Sequence, residues 1–357
     1  MKTKFPTNKP IWMVRAGSHG QQEEIALEEN IVAIGWREMG DLSGISSKSL
    51  LENKYENVFP NTKPKASSNM SNQIWRFKSE IEIEDWVVLP LKRRPAIAIG
   101  RIVSDYGFTD QYGPEIGHYR KVEWLTKDMP RSEFKQDLLY SMGAFLTVCK
   151  IQRNDAEVRI PRALDAYLNG GNKNTTPNPV LDSKSFDDTD IDDKGDIDIE
   201  TMGRDQIRSM IKQEFAGHRL QDLVAGIFAV EGYMTEVSPP GKDGGIDILA
   251  GKGLLGLEEP RICIQVKATS SPAGIDVVNS LLGVVSSYGA SYGLIVSTGG
   301  FTNDARKKAK EQFFKLRLWD SDDLIEAILK NYLKLSDEIK ASLPLKQIWV
   351  AVLEDIE

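Results

Sequence analysis

Gly241-Lys242-Asp243-Gly244-Gly245-Ile246-Asp247-Ile248 is followed, one hairpin later, by Ile262-Cys263-Ile264-Gln265-Val266-Lys267. The first piece is a glycine-rich turn opening into an apolar run. The second is a short apolar run rich in β-branched residues, and both read as strands. Side chains alternate across a strand, so Gln265 and Lys267 share one face and Val266 takes the other. If the two strands pair, Asp247, Gln265 and Lys267 converge at one point. A hard cation such as Mg²⁺ wants oxygen ligands, which Asp247, the Gln265 side-chain oxygen, a backbone carbonyl and waters could supply. Lys267 would orient or help deprotonate an attacking water and offset charge at a phosphate. Each piece alone has a plainer reading. Asp-Gly-Gly is a turn signature, and a lysine closing an apolar run is often a snorkelling strand end. The two in order, at strand spacing, point to metal-assisted phosphodiester hydrolysis.

Around this pair the chain alternates helix and strand. Helical periodicity runs from about Asp205 to Glu214 and from Arg219 to Val230, and Gly232-Tyr-Met-Thr-Glu-Val reads as a strand. Asp276 to Tyr288 is helical, and Tyr292 to Ser297 is a fully apolar strand, expected to be one of the central strands of a sheet. Asn303 to Phe314 reads as a helix with its basic face outward. A strand then runs to Trp319, and a further helix follows, with Ser321 as its expected N-cap. The order implies an α/β fold, a mixed sheet flanked by helices, with the Leu343-Pro-Leu-Lys-Gln-Ile-Trp tail packing back on it.

Asp-Gly-Gly-Ile-Asp, the strand ending Gln-Val-Lys, and Tyr292-Gly-Leu-Ile-Val-Ser-Thr-Gly-Gly-Phe-Thr together resemble the Mrr-type restriction endonuclease family of the PD-(D/E)xK superfamily. The similarity runs from about Phe215 to about Leu329. It implies a restriction-endonuclease-like fold, cleavage of DNA with Mg²⁺ (Mn²⁺ substituting), metal ligation by Asp247 and Gln265, and catalysis by Asp247, Gln265 and Lys267. The family often adds a Glu on the helix before the first catalytic strand. Here Gln221 falls near that position. Asp222 is adjacent but ~100° around the helix, and Glu231 is a second candidate.

The chain has 357 residues, 41% hydrophobic and 27% charged, the composition of an ordinary globular protein. Its length suggests two or three domains. No apolar run approaches the ~20 residues of a membrane span, and the first residues have no signal-peptide core. Cys149 and Cys263 lie far apart in apolar runs and read as buried thiols in a reducing compartment, which implies the cytoplasm. The net charge of −7 argues against DNA only at first sight, because residues 181–200 hold nine acids and two lysines and account for all of it. Local clusters such as Lys92-Arg93-Arg94 and Lys307-Lys308-Ala-Lys310 matter more.

The chain divides into residues 1–165, a linker over 166–200 with few apolar residues and many like charges, and residues 201–357. Five of the seven tryptophans precede residue 125. Short alternating runs, such as Ile31-Val-Ala-Ile-Gly-Trp36 and Ile97-Ala-Ile-Gly-Arg-Ile-Val103, suggest a β-rich, barrel-like domain with a few helices. The blocks Asn69-Met-Ser-Asn-Gln-Ile-Trp-Arg-Phe77, Glu84-Asp-Trp-Val-Val-Leu-Pro and Ala98-Ile-Gly-Arg-Ile-Val resemble the EVE/YTH branch of the PUA-like superfamily. That resemblance implies a pocket for a flipped, modified base, where stacking is worth ~1–3 kcal/mol. Trp36, Asp41, Asn72 and Trp75 are its candidate residues, although tryptophan in a small β-fold is more often core. His19 and His118 read as ordinary loop residues.

These readings combine into a restriction-type endonuclease acting on double-stranded DNA, with methylated or hydroxymethylated cytosine as the expected mark and phage or foreign DNA as the target. A flexible linker would reach ~30–35 Å, and cutting both strands implies a homodimer. Two other classes compete: a DNA-binding adaptor with an inactive nuclease fold, favoured by Gln265 and the absent helix Glu, and a structure-specific repair nuclease.

Overall fold

The computed structural model describes residues 5, 9–143, 146–169, 198–239 and 245–350. Gly241 to Gly244 of the opening motif and most of the acidic segment lie outside the described residues. The chain forms two compact units that meet between Ile199 and Glu200.

The first unit is built on a curled sheet of β1 (Ile11–Val14), β2 (Ile31–Ile34), β3 (Trp86–Pro90), β4 (Ala96–Ile102), β5 (Gly107–Phe108), β6 (His118–Pro130) and β7 (Val148–Lys150). The strand path is β2-β6-β4-β3-β1-β7, with β5 also on β6. β1 and β3 are parallel and the other pairs antiparallel. Register shifts between Ile97 and Gly100 bend β6 as it crosses from β4 to β2.

Alternation along the strands sorts the core into two layers. Ile11, Met13, Trp86 and Val88 pack with Leu138 of α4 (Gln136–Ser141) and Ile160 and Leu164 of α5 (Ala156–Leu168). Trp12, Val14 and Val87 pack with Leu51 and Tyr55 of α2 (Lys48–Val58) and Ile74 of α3 (Pro64–Trp75). A short α1 (Glu23–Glu28) precedes β2.

Both ends of the expected linker are helical. α5 runs through Leu168 because Leu164 and Tyr167 pack on the core. Asp198, counted with the solvated acids, is buried, pairs with Arg15 at 3.8 Å and donates its N–H to the Gly143 carbonyl at 3.2 Å.

The second unit comprises α6 (Ile199–Glu214), α7 (Arg219–Val230), β8 (Met234–Val237), β9 (Ile248–Lys252), β10 (Glu258–Lys267), α8 (Ile275–Ser287), β11 (Tyr292–Ser297), α9 (Asn303–Glu311), β12 (Leu316–Trp319), α10 (Ser321–Asn331) and α11 (Asp337–Ser342). Its sheet order is β12-β11-β10-β9-β8. β10, β11 and β12 are parallel, and β8, β9 and β10 antiparallel. Ile264 and Val266 face α7 and α10, while Cys263 faces α8 and α9. The apolar β11 is an interior strand, flanked by β10 and β12, and β10 is the middle strand of the sheet. Cys149 and Cys263 are buried and form no disulfide among the described residues, and burial pushes the Cys263 thiol pKa up.

The N-cap of α10 is Asp320 rather than Ser321. Its carboxylate accepts from the N–H groups of Asp322 and Asp323, while the Asp323 side chain accepts from the Asp320 N–H, a reciprocal box that a serine one residue later cannot form. The tail packs back as far as Leu345. The Tyr332 hydroxyl donates to the Leu343 carbonyl at 2.8 Å and accepts from the Leu345 N–H at 2.7 Å.

Arg208 is buried and pairs with Asp205 and Asp322, tying α6 to α10. Removing one partner of a buried ion pair strands the other. Arg208→Ala is therefore expected to cost about 3–5 kcal/mol in urea unfolding, and a loss under about 1 kcal/mol would show that water takes over the carboxylates. Among the described residues no helix is long and apolar enough to cross a membrane.

Candidate active site

Asp247 immediately precedes β9 and faces the end of β10. Gly245, at φ +88°, makes the left-handed turn that leads into it. Three backbone bonds seat Asp247: its N–H donates to the Ile264 carbonyl at 3.0 Å, its carbonyl accepts from the Ser238 N–H at 2.8 Å, and its carboxylate Oδ2 accepts from the Val266 N–H at 2.6 Å. The last bond holds the carboxylate against the residue between Gln265 and Lys267. Those two side chains share the face of β10 opposite Val266, beside Ile295 and Ser297 of β11.

The Gln265 side chain is buried, and its Oε1 has no hydrogen-bond partner among the described residues. An unmatched buried amide oxygen costs about 1–3 kcal/mol unless something fills its acceptor site. The Ser297 hydroxyl, in register with Lys267, is likewise buried and unmatched among the described residues. A carboxylate beside an unmatched neutral oxygen is a donor set that fits a hard divalent cation.

Of the three helix candidates the structure brings one to this point. Gln221, on α7, donates its Nε2 to Asp247 Oδ1 at 2.7 Å, and its own Oε1 accepts from the His218 ring Nδ1 at 3.3 Å. Gln221 is thus a positioning residue for the carboxylate. Asp222 is exposed on the far side of the helix. Glu231 bonds Lys330 and Asn331 at 2.9 Å each, closing the end of α7 onto α10 outside the site, and the Asn331 amide first, then Lys330, lowers its carboxyl pKa.

One contribution was not assigned from the sequence. Thr298 donates its N–H to the Lys267 carbonyl at 3.1 Å, and its hydroxyl lies 3.3 Å from the Thr269 carbonyl. The quoted Ser-Thr-Gly-Gly run therefore braces the strand end carrying Lys267. Only the parallel register of β10 and β11 reveals that job.

In the first unit the four proposed pocket residues have different surroundings. Trp36 has a left-handed backbone, φ +59°, rare for a bulky residue. Its carbonyl accepts from His118 Nε2 at 3.0 Å, and its indole bonds the Tyr55 hydroxyl. Asn72 Oδ1 is buried without a partner among the described residues, Trp75 lies under the Lys78 ammonium at 5.6 Å, and Asp41 is exposed, with the Ser43 hydroxyl holding its carboxyl pKa down. A cavity of about 550 Å³ is lined by residues including Ser43, Lys78, Ile81, Ile83, Tyr106 and Arg120.

His118 is no loop residue. It opens β6 fully buried, and its Nδ1 accepts from the Tyr106 hydroxyl at 2.8 Å. Burial pushes the His118 pKa down and that of Tyr106 up to about 12. Sequence could not separate a solitary surface histidine from one completing a buried chain of hydrogen bonds. His19 is exposed beside Ser18.

No curated protein matches the chain. Several solved structures are similar to it. The DNA modification-dependent restriction endonuclease AspBHI is 13% identical, over 79% of this chain and 74% of that one, with a TM-score of 0.33. The restriction endonuclease MspJI in complex with a 27-mer oligonucleotide is 14% identical, over 93% and 79%, with a TM-score of 0.30. AF1548, a protein of unknown function, is 18% identical, over 35% and 77%, with a TM-score of 0.25. A family model described only as a domain of unknown function matches residues 12–144. A second, described as a restriction endonuclease, matches residues 212–328, which hold Asp247, Gln265 and Lys267. Over those residues the C-terminal unit matches the Mrr catalytic domain of restriction endonucleases.

Proposed function

We propose that the chain is a metal-dependent DNA endonuclease whose C-terminal unit cuts duplex DNA and whose N-terminal, PUA-like unit chooses where. The observation that carries this reading is the buried Gln265 Oε1, unmatched among the described residues, on the Lys267 face of β10, whose Val266 N–H holds the Asp247 carboxylate. Asp247 and Gln265 would hold Mg²⁺ or Mn²⁺. When bound, the cation supplies Lewis acidity at the phosphate and lowers the pKa of an attached water.

The chain's own groups do the rest. Gln221 and the Val266 N–H orient the Asp247 carboxylate. Lys267 aligns the attacking water and balances charge as the phosphorus–oxygen bond breaks. The base pocket is better placed at the 550 Å³ cavity than at Trp36 and Trp75, since that volume suits a nucleobase and Tyr106 offers a stacking face. Cleavage of both strands calls for two chains acting together. Directed at methylated or hydroxymethylated cytosine, such an enzyme would serve defence against phage DNA.

The test is cleavage of matched phage DNAs, unmodified and carrying methylated or hydroxymethylated cytosine, with Mg²⁺ or Mn²⁺. Cutting confined to modified DNA supports both halves of the reading. Equal cutting keeps the nuclease and discards the base reader, and no cutting with any metal moves the assignment to the adaptor.

The metal has its own check. Gln265→Glu puts a second carboxylate beside Asp247, so without metal the like charges should lower the melting temperature. Saturating Mg²⁺ should then raise it more in the variant than in the wild type, by about 1–3 kcal/mol of added stabilisation. An identical Mg²⁺ response in both proteins would remove Gln265 from the ligand set.

A further inference from the structure

Helix α9 starts after the Ser297 end of β11, where Lys267 lies, and ends at Glu311. The chain then turns through Phe313, Phe314 and Lys315 into β12, whose Leu316 pairs with Gly293 at the other end of β11. Phe314 is 85% exposed and Phe313 53%. The two rings meet edge to face at 5.3 Å, and the Arg317 guanidinium stacks 3.6 Å from the Phe313 centroid while donating to the Phe313 carbonyl. Lys307, Lys310, Lys315 and Arg317 are exposed around them, and Lys308 is paired with Glu311 at 2.9 Å.

Two phenylalanines held in water by a stacked arginine, ringed by cations, are complementary to a polyanion with apolar faces. A second exposed apolar cluster of this unit, Leu254, Leu255 and Leu257, sits beside Glu258 and Glu259 and lacks that complementarity.

We propose that α9 and the Phe313–Phe314 turn form a duplex-DNA contact surface of the nuclease unit, with the lysines on phosphates and Phe314 wedged against a base step. This rests on the nuclease reading above. The level of Lys267 and that of Leu316 are four residues apart along β11, about 13 Å at ~3.3 Å per residue, and the turn adds roughly 5 Å. Phe314 would therefore meet the duplex about five base pairs from the scissile phosphate, at ~3.4 Å per base pair.

The experiment is fluorescence anisotropy of the full chain on a labelled linear duplex in EDTA, across a salt series, with sedimentation velocity alongside. Phe314→Ala is expected to weaken binding about ten-fold with an unchanged salt slope. The triple variant Lys307→Ala, Lys310→Ala, Lys315→Ala is expected to lower the slope of log affinity against log salt by about 2 to 3. Phe314 is so exposed that its truncation leaves folding intact, and melting curves verify this for both variants. Wild-type binding with both variants indistinguishable from it overturns this surface and leaves the nuclease reading standing. Wild-type protein that binds no duplex overturns both. A Phe314→Ala protein with unchanged DNA affinity but a smaller sedimentation coefficient overturns the DNA assignment in favour of a second copy of the chain.

Discussion

Lys267→Ala in the full chain is expected to lower the single-turnover rate of DNA cleavage by at least about three orders of magnitude, at saturating Mg²⁺ or Mn²⁺. The ammonium sits at the last position of β10, on the Gln265 face and in register with Ser297. Its proposed work is confined to the reacting water and phosphate, so the loss should fall on the chemical step. Lys267 is only half-buried, so stability should change by less than about 1 kcal/mol. DNA affinity should lose no more than one phosphate contact, a drop of about 0.9 in the salt slope. Rate, melting temperature and affinity measured on one preparation separate these effects. Residual cleavage within about ten-fold of wild type would place the catalytic cation elsewhere.

Gly299→Ala should act through the backbone and reach the same residue. A Cβ at Gly299 would lie 2.5 Å from the Ser271 carbonyl oxygen and 2.6 Å from that of Thr269. Both are main-chain atoms and cannot rotate away. The segment they belong to continues directly from Lys267. It is held by the Thr298 bonds and by a short parallel bridge, in which the Ala273 N–H donates to the Gly300 carbonyl at 2.9 Å and the Thr302 N–H to the Ala273 carbonyl at 3.0 Å.

Relieving the clash must shift the end of β10. We expect about 3 kcal/mol or more of destabilisation in urea unfolding, and a loss of cleavage in the fraction that remains folded. Gly283, inside α8 with nothing within 4 Å of a built Cβ, is the control. Gly283→Ala should be neutral or stabilising by up to about 1 kcal/mol. Equal behaviour of the two variants would show that the Thr269–Ser271 segment yields without strain.

Much of the second unit was legible in the chain. The period-two run at Gln265-Val266-Lys267, the helical spacing of α7 and α8, and the Gly-rich turn before Asp247 are local signals, and local signals survive in a linear string. The near position of Gln221 was implied by the family resemblance, but its bond to Asp247 was not. That bond depends on how α7 packs across Ile248 and Ile264, a contact between residues far apart in sequence. The aromatic wealth of the first unit was equally plain, yet its placement was not. Trp12 and Trp86 went to opposite core layers, Trp36 to a strained turn closed by His118, and the cavity formed around Tyr106 and Arg120.

By itself the sequence determined the residue types of the site, the face of β10 that Gln265 and Lys267 share, and the alternation of helices and strands, because each follows from the pitch of a strand or a helix. Only the tertiary structure decided that β10 is the middle strand, that Asp320 caps α10, that Gln221 rather than Asp222 or Glu231 reaches the carboxylate, and that Gly299 must lack a side chain. Those outcomes depend on which surfaces meet, and a meeting of surfaces is settled by the whole fold's burial of apolar area and matching of backbone polar groups.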